Sequence, residues 1–515
     1  MRSLALLALL LHPSPDEADV LLRGVMIYDG TGKEGFTGDV AWKGDTIAAV
    51  GEWKGEAKKT IDGRGLVAAP GFIDLHTHSD DTILLEGTRD NYNYTAQGCA
   101  TVVTGNCGGG NVDTGRMLDA IDRHGAGTNV IHLVPLGAVR RRVFGSQDRP
   151  PSPEELEKMK SLVEKGMKEG AWGVSTGLIY VPGTFTETGE IVELAKVAHR
   201  HGGIYASHIR SEAGEVLEAV REAIEVGEKS GCPVQISHLK CSTKEAWGRM
   251  EEVCRLVEAA RGRGLRVAAD QYPYTASSTG LESYTVHAWA REGGEKKMVE
   301  RLDDPGTGAR IRKEIAEGFE KRDGADKIMI ASYGKKKEYN GKTVARIARD
   351  EGRDPVEVVV EILKNGGAQA IGFSMREEDV LFAMKKDWVA TGSDGGARRI
   401  VASARPHPRN FGTFPRKIGR CAIEKREIPL AFAIRSATGL PAEILGLKDR
   451  GVLRAGAKAD VVVFDPEAFR DRATFEDPNR YATGVRWLFV NGGAVIAEGE
   501  KTEALPGRAL RLNRP

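Results

Sequence analysis

Two textures of apolar and polar positions alternate along this chain. From about residue 19 the apolar positions fall in short, β-branched runs broken by Gly and Asp: "ADVLLRGVMIYDGTG", "GDVAWKGDTIAAVG" and "TIDGRGLVAAPG". Runs of this kind, punctuated by turn residues, predict strands. The same texture returns in "GVLRAGAKADVVVFDP" and "WLFVNGGAVIAEGE". Two β-rich ends around a different middle predict one small β-sandwich-like domain assembled from residues 19–68 and 446–515.

The middle, residues 69–445, alternates strand and helix. Compact apolar runs appear at "GFIDLH", "CATVVTG", "TNVIHLVP", "AWGVSTG", "GIYASH", "PVQISH", "LRVAAD" and "WVATGSD". Helical periodicity separates most of them, as in "SPEELEKMKSLVEKGMKEG" and "GEVLEAVREAIEVGEKSG". The first of these helices opens with Ser152 and, three residues on, Glu155, the pattern of a capping box. Eight strands alternating with helices are the arrangement of a (β/α)8 TIM barrel, although an open parallel sheet alternates in the same way. One long charged stretch, residues 284–375, separates the seventh and eighth strands and is predicted to form a partly helical lid. No internal repeat and no low-complexity tract interrupts the pattern.

Composition narrows the class. The 515 residues are 41% hydrophobic and 29% charged with a formal net charge of +1, which points to neither nucleic acid nor an anionic membrane as a partner. Six scattered cysteines (Cys99, Cys107, Cys232, Cys241, Cys254 and Cys421) include no CxxC pair, so neither a disulfide framework nor a thiolate zinc finger is expected. The opening "MRSLALLALLL" is too short to span a bilayer and lacks a clear cleavage site after it. Residues 1–18 therefore read as a signal peptide or as a disordered start, leaving cytoplasmic and exported locations both open. Oligomeric state is not legible.

The chemistry lies where the predicted strands end. The first runs into "HTH", placing His76 and His78 two apart, hence on one face of an extended chain. The second runs into "GNCGG" with Cys107, the fifth into His208 and the sixth into His238. The eighth runs into Asp394. In a barrel, active-site groups come from the C-terminal ends of the strands. Four histidines, one cysteine and one aspartate would then meet at one mouth, and imidazole, thiolate and carboxylate are zinc ligands.

The set "HTH", "GNCG", "SHIRSE", "SHLK", "DQYPYTASST", "GSDG" and "HPRNFGTFPR" resembles the N-acyl-D-amino-acid deacylases (D-aminoacylases) of the amidohydrolase superfamily, over nearly the whole chain after residue 19. "GNCG", "YPYTASST" and "HPR…GTFPR" are the more specific of these motifs. The resemblance implies a metal-bearing (β/α)8 barrel and hydrolysis of a small-molecule N-acyl-D-amino acid to a carboxylate and a free D-amino acid.

Many superfamily members bridge two metals with a carboxylated lysine after strand four. This chain reads "WGVSTGLIYVPG" there and has no lysine, so Cys107 is the candidate bridge. By resemblance Cys107, His208 and His238 hold one tight zinc. His76, His78 and Asp394 form a second, weaker or partly occupied position. Asp394 is the expected proton shuttle. Lys240, Tyr272 and Arg409, with Ser278 nearby, are the expected clamp for the substrate α-carboxylate. One departure is the basic stretch "GGARRIVASAR" between Asp394 and "HPR", from which Arg398 or Arg399 could also reach the site.

The segment after "YPYTASST" is expected to line the side-chain pocket. It reads "GLESYTVHAWA", with Leu281, Tyr284, Val286 and Trp289 but no Arg or Lys before Arg291. That wall favours neutral or apolar D-amino acids, unless the basic stretch supplies a cation from the opposite side. The competing readings are an amidohydrolase acting on a cyclic or peptide-like amide and a metal-free, non-enzymatic relative.

Overall fold

Eight short parallel strands carry the centre of the chain: β1 (Phe72–Asp74), β2 (Cys99–Thr104), β3 (Asn129–His132), β4 (Gly173–Gly177), β5 (Ile204–His208), β6 (Val234–Ile236), β7 (Val267–Gln271) and β8 (Val389–Thr391). The computed structural model describes residues 17–512, so all but the last two residues of the leader or disordered start expected at 1–18 lie outside the described residues, and Ala18 already opens a strand, Ala18–Ile27. Strands β2, β4, β5 and β7 are buried at every position, as expected for parallel strands covered on both faces.

No single ladder runs unbroken round this ring. Strands β1–β2–β3 form one sheet, and β4–β5–β6–β7–β8 form another together with Val134–Pro135, the continuation of β3 past Leu133. The far edges meet where the chain leaves β1 and β8. Thr77 bridges Gly395 in parallel register, the Asp394 amide donates to the His76 carbonyl at 2.8 Å, and the His78 amide donates to that of Gly395. The arrangement is the TIM-barrel fold expected from the alternation.

Helices Pro153–Lys168, Thr188–Arg200, Val216–Ser230 and Met250–Gly262 pack side by side around β4 to β7, each burying one apolar face. Ser152 and Glu155 make both halves of the capping box at the first of them. No helix among the described residues is long and apolar enough to cross a membrane.

Both ends of the described chain contribute to a nine-stranded sheet. Its seam is the antiparallel pairing of Val67–Pro70 with Val461–Phe464, and Trp42, Trp487 and Phe489 pack in its core. Residues 507–512 then return to the barrel base and run along β3. The Val130 amide donates to the Arg508 carbonyl at 2.9 Å and the Leu510 amide to that of Val130 at 2.8 Å, while Trp172 Nε1 donates to the Leu510 carbonyl at 2.6 Å.

Between β7 and β8 the chain builds a small body of its own. Ser277–Gly280, Ile328–Ser332 and Gln369–Gly372 form a three-stranded antiparallel sheet with Gln369–Gly372 in the centre. Helices such as Pro305–Lys321 and Pro355–Lys364 close a separate apolar core around Ile311, Ile315, Ile330, Val358 and Ile362. The sheet begins at Ser277, ahead of the stretch that the change in composition marks.

Candidate metal centre

Cys107 is seated by its neighbours rather than by its own strand. It follows β2 in a left-handed backbone conformation (φ +53°) that non-glycine residues rarely adopt. Ser175 of β4 donates its hydroxyl to the Gly105 carbonyl and accepts from the Gly108 amide at 3.0 Å, tying the loop from both sides. Gly177, at the end of β4, leaves the room: a Cβ there would stand 2.0 Å from the Cys107 carbonyl oxygen. His238 (φ +37°) and Asp394 (φ +53°) are held in the same sparsely populated region. Three such residues at one strand-end cluster mark a site that the surrounding fold over-determines.

The sulfur of Cys107 has three imidazole nitrogens around it: His76 Nε2 at 3.3 Å, His208 Nδ1 at 3.5 Å and His238 Nε2 at 3.5 Å. Asp394 Oδ1 lies 3.0 Å from His78 Nε2 and 3.7 Å from His76 Nε2. The six residues expected to bind metal therefore form one connected cluster, with Cys107 and His76 between the His208/His238 pair and the His78/Asp394 pair.

The donor set suits zinc. Burial pushes His76 and His208 below the ordinary imidazole range, so both are neutral at pH 7 and offer a lone pair. Burial first, and Asp394 second, push the Cys107 thiol well above its usual range, and a cation at the centre would reverse that by stabilising the thiolate. The buried His208 Nε2 has no hydrogen-bond partner among the described residues.

Two carboxylates outside the expected ligand set stand behind the imidazoles. Glu212 Oε1 lies 2.9 Å from His238 Nδ1 and also accepts from Lys240 Nζ. Asp270 accepts from the His238 amide at 3.0 Å and stands 3.5 Å from His76 Nδ1, too far for a well-formed hydrogen bond. Such outer carboxylates fix the tautomer and aim of a metal-binding histidine. The signals were inside the quoted motifs: Glu212 closes "SHIRSE", four residues after His208, and Asp270 opens "DQYPYTASST".

The expected carboxylate clamp is present in part. Arg409 is buried, its Nη1 is 2.9 Å from Asp394 Oδ2 without hydrogen-bond alignment, and its guanidinium lies over the Tyr272 ring at 4.8 Å. Burial alone would raise the Asp394 carboxyl, but Arg409, then His238 and His78, hold it well below the usual range. Lys240 is engaged by Glu212 and by His238 Nδ1. The Ser278 hydroxyl donates to the Ala370 carbonyl at 2.9 Å, and it is the Ser278 main-chain carbonyl that holds Arg409 Nη2 at 3.1 Å.

A cavity of about 590 Å³ opens over this cluster, lined by His78, Cys107, Tyr180, Glu282, Asp394, Arg398 and Arg409 among others. It adjoins a second chamber of about 660 Å³ beneath the insertion, with Arg141, Tyr180 and Glu282 in the lining of both. Here the expected apolar wall is corrected. Leu281 and Val286 are buried in the insertion's own core with Tyr284 and Trp289 packed against it, and none of the four lines either chamber. Apolar periodicity shows that a face is buried, not which space it faces. From the basic stretch, Arg399 turns away to pair with Asp90 at 2.8 Å, whereas Arg398 reaches the cavity.

The sequence pattern of the amidohydrolase family matches residues 59–496. The chain is 35% identical to the D-aminoacylase of Alcaligenes xylosoxydans xylosoxydans over 516 aligned residues, covering 96% of this chain and 97% of that one. Among solved structures, the N-acyl-D-glutamate deacylase of Bordetella bronchiseptica, complexed with zinc and a phosphonate that mimics the tetrahedral intermediate, aligns with a TM-score of 0.83. Its identity is 32%, covering 96% of this chain and 100% of that one. A D-aminoacylase described by a binuclear metal centre with one-metal activation and second-metal attenuation aligns with a TM-score of 0.82 at 32% identity and the same coverage.

Proposed function

From the premise that this chain belongs to the amidohydrolase family, and within it to the N-acyl-D-amino-acid deacylases, we propose that it hydrolyses the amide of N-acyl-D-amino acids with zinc at the Cys107 cluster. The observation that carries the reading is the single thiol set within 3.3 to 3.5 Å of three imidazole nitrogens, with a buried carboxylate beside them. In this reading Cys107, His208 and His238 hold a tight zinc, and His76, His78 and Asp394 hold a weaker or partly occupied second position. When bound, zinc supplies a Lewis acid that acidifies water and polarises the scissile carbonyl.

The protein's own groups do the rest. Asp394, kept ionised by its cationic neighbours, accepts the proton of the attacking water and returns it to the leaving nitrogen, because an amine anion leaves poorly without one. Arg409 presents a planar fork to the substrate α-carboxylate, and Tyr272 braces it from below. Lys240 acts mainly by fixing Glu212 and the His238 ring. Residues 284–375 form a lid over the cavity. Equal hydrogen-exchange protection of this body's junctions and the barrel strands, with and without ligand, would argue against that lid.

A screen of N-acetyl-D- and N-acetyl-L-amino acids with the zinc-loaded protein tests the reading. Release of free D-amino acid, with little from the L series, is the expected result. Absence of turnover on every D substrate would refute it.

A further inference from the structure

The loop after β8 carries two adjacent arginines that diverge. Arg399 is tied outward by Asp90 and the Gly87 carbonyl. The Arg398 amide donates to Asn93 Oδ1 at 3.2 Å, which anchors the loop. The Arg398 side chain, which is exposed, stands in the cavity wall beside Gly396. Its guanidinium has no ion pair and no hydrogen bond among the described residues. A guanidinium offers five donors in a fixed fork matched to a carboxylate, and this one is open to whatever enters.

The acids of the same cavity do not answer it. Asp394 is engaged by Arg409 and His78. Glu282 lies where the two chambers adjoin, within Coulombic reach of Arg291. With the expected apolar wall turned into the insertion's own core, the apolar lining is reduced to small or rigid residues such as Val181, Pro182, Ala331 and Pro406. Of the lining's arginines beyond the clamp, Arg141 donates to the Val181 carbonyl, and only the Arg398 guanidinium has no partner among the described residues.

We propose that Arg398 reads a second carboxylate, so that the substrates this chain favours are dicarboxylic N-acyl-D-amino acids. The second carboxylate sits on the D-amino-acid side chain, as in glutamate, or at the far end of a dicarboxylic acyl group. The inference rests on the deacylase reading above and adds the substrate class.

The test compares kcat/KM of the zinc enzyme for N-acetyl-D-Glu, N-succinyl-D-Leu and N-acetyl-D-Leu, in the wild type and in Arg398→Met and Arg398→Lys. The readout is the ratio of each dicarboxylic substrate to N-acetyl-D-Leu, which cancels any general loss of activity. Because Arg398 is open to cavity water, the effect falls at the low end for a charge-assisted hydrogen bond, about fivefold to tenfold. Arg398→Met is expected to lower at least one ratio by that factor, and Arg398→Lys to retain part of it. A fall with N-acetyl-D-Glu places the carboxylate on the amino acid, and a fall with N-succinyl-D-Leu places it on the acyl group. Turnover of N-acetyl-D-Leu with neither ratio changed would overturn this proposal alone. No turnover of any substrate would overturn the deacylase reading beneath it.

Discussion

Replacing Gly177 by Ala adds one methyl group at the end of β4, in the cavity wall against the Cys107 loop, and it should empty the metal centre. The added Cβ would stand 2.0 Å from the Cys107 carbonyl oxygen and 2.8 Å from the Tyr180 ring. Ordinary contact begins near 3.4 Å, so strand and loop must part by about 1.4 Å. The obstacle is backbone, held by the Ser175 hydroxyl on one side and by the strained Cys107 turn on the other, and it cannot swing away as a side-chain tip would. Overpacking of this kind costs about 1 to 3 kcal/mol of stability, and a displacement near 1 Å in a catalytic constellation costs on the order of 100-fold in rate. Zinc content of the purified protein and kcat/KM on an N-acetyl-D-amino acid should fall together, by about 100-fold in the latter. Gly189→Ala is the control, since a Cβ there meets nothing within 4 Å. Wild-type zinc content and wild-type rate in Gly177→Ala would show that the close approach does not seat Cys107.

Cys107→Ala should lose zinc and activity together, and a variant that keeps full zinc would remove Cys107 from the ligand set. Asp394→Asn should retain the tight zinc, because Cys107, His208 and His238 are intact, while kcat falls by at least about 100-fold; near wild-type kcat would end its role as proton shuttle. Glu212→Gln withdraws the carboxylate that faces both His238 Nδ1 and Lys240 Nζ, so zinc affinity, measured by competition with a chelator, should weaken by about 10- to 100-fold. Unaltered affinity would make Glu212 a partner of Lys240 only.

What the sequence discloses and what it hides follow from one physical distinction. The ends of β1, β2, β5, β6 and β8 were legible because parallel barrel strands are apolar and short, so a His, Cys or Asp just past each run stands out. Glu212 and Asp270 were not, because their work is done through other side chains: a carboxylate that aims an imidazole has no spacing rule, only a position in space. The same limit explains Leu281, Tyr284, Val286 and Trp289, whose apolar character announced burial but not the core in which they are buried. It also explains the tail along β3, where isolated bridges at Gly507 and Ala509 leave no periodic trace.

That tail bears on how the protein is made. The Arg508 amide donates to Asn129 Oδ1 across 379 positions of sequence, and Leu510 and Leu512 stitch onto Val130 and Gly170. During synthesis, β3 and β4 leave the ribosome long before these residues exist. The base of the barrel must wait with polar backbone groups of Val130 and the indole of Trp172 unpaired. Contacts of such long sequence separation form slowly and leave half-built intermediates open to aggregation. The protein should therefore depend on chaperone protection in proportion to its translation time, a vulnerability set by connectivity rather than by the stability of the finished fold.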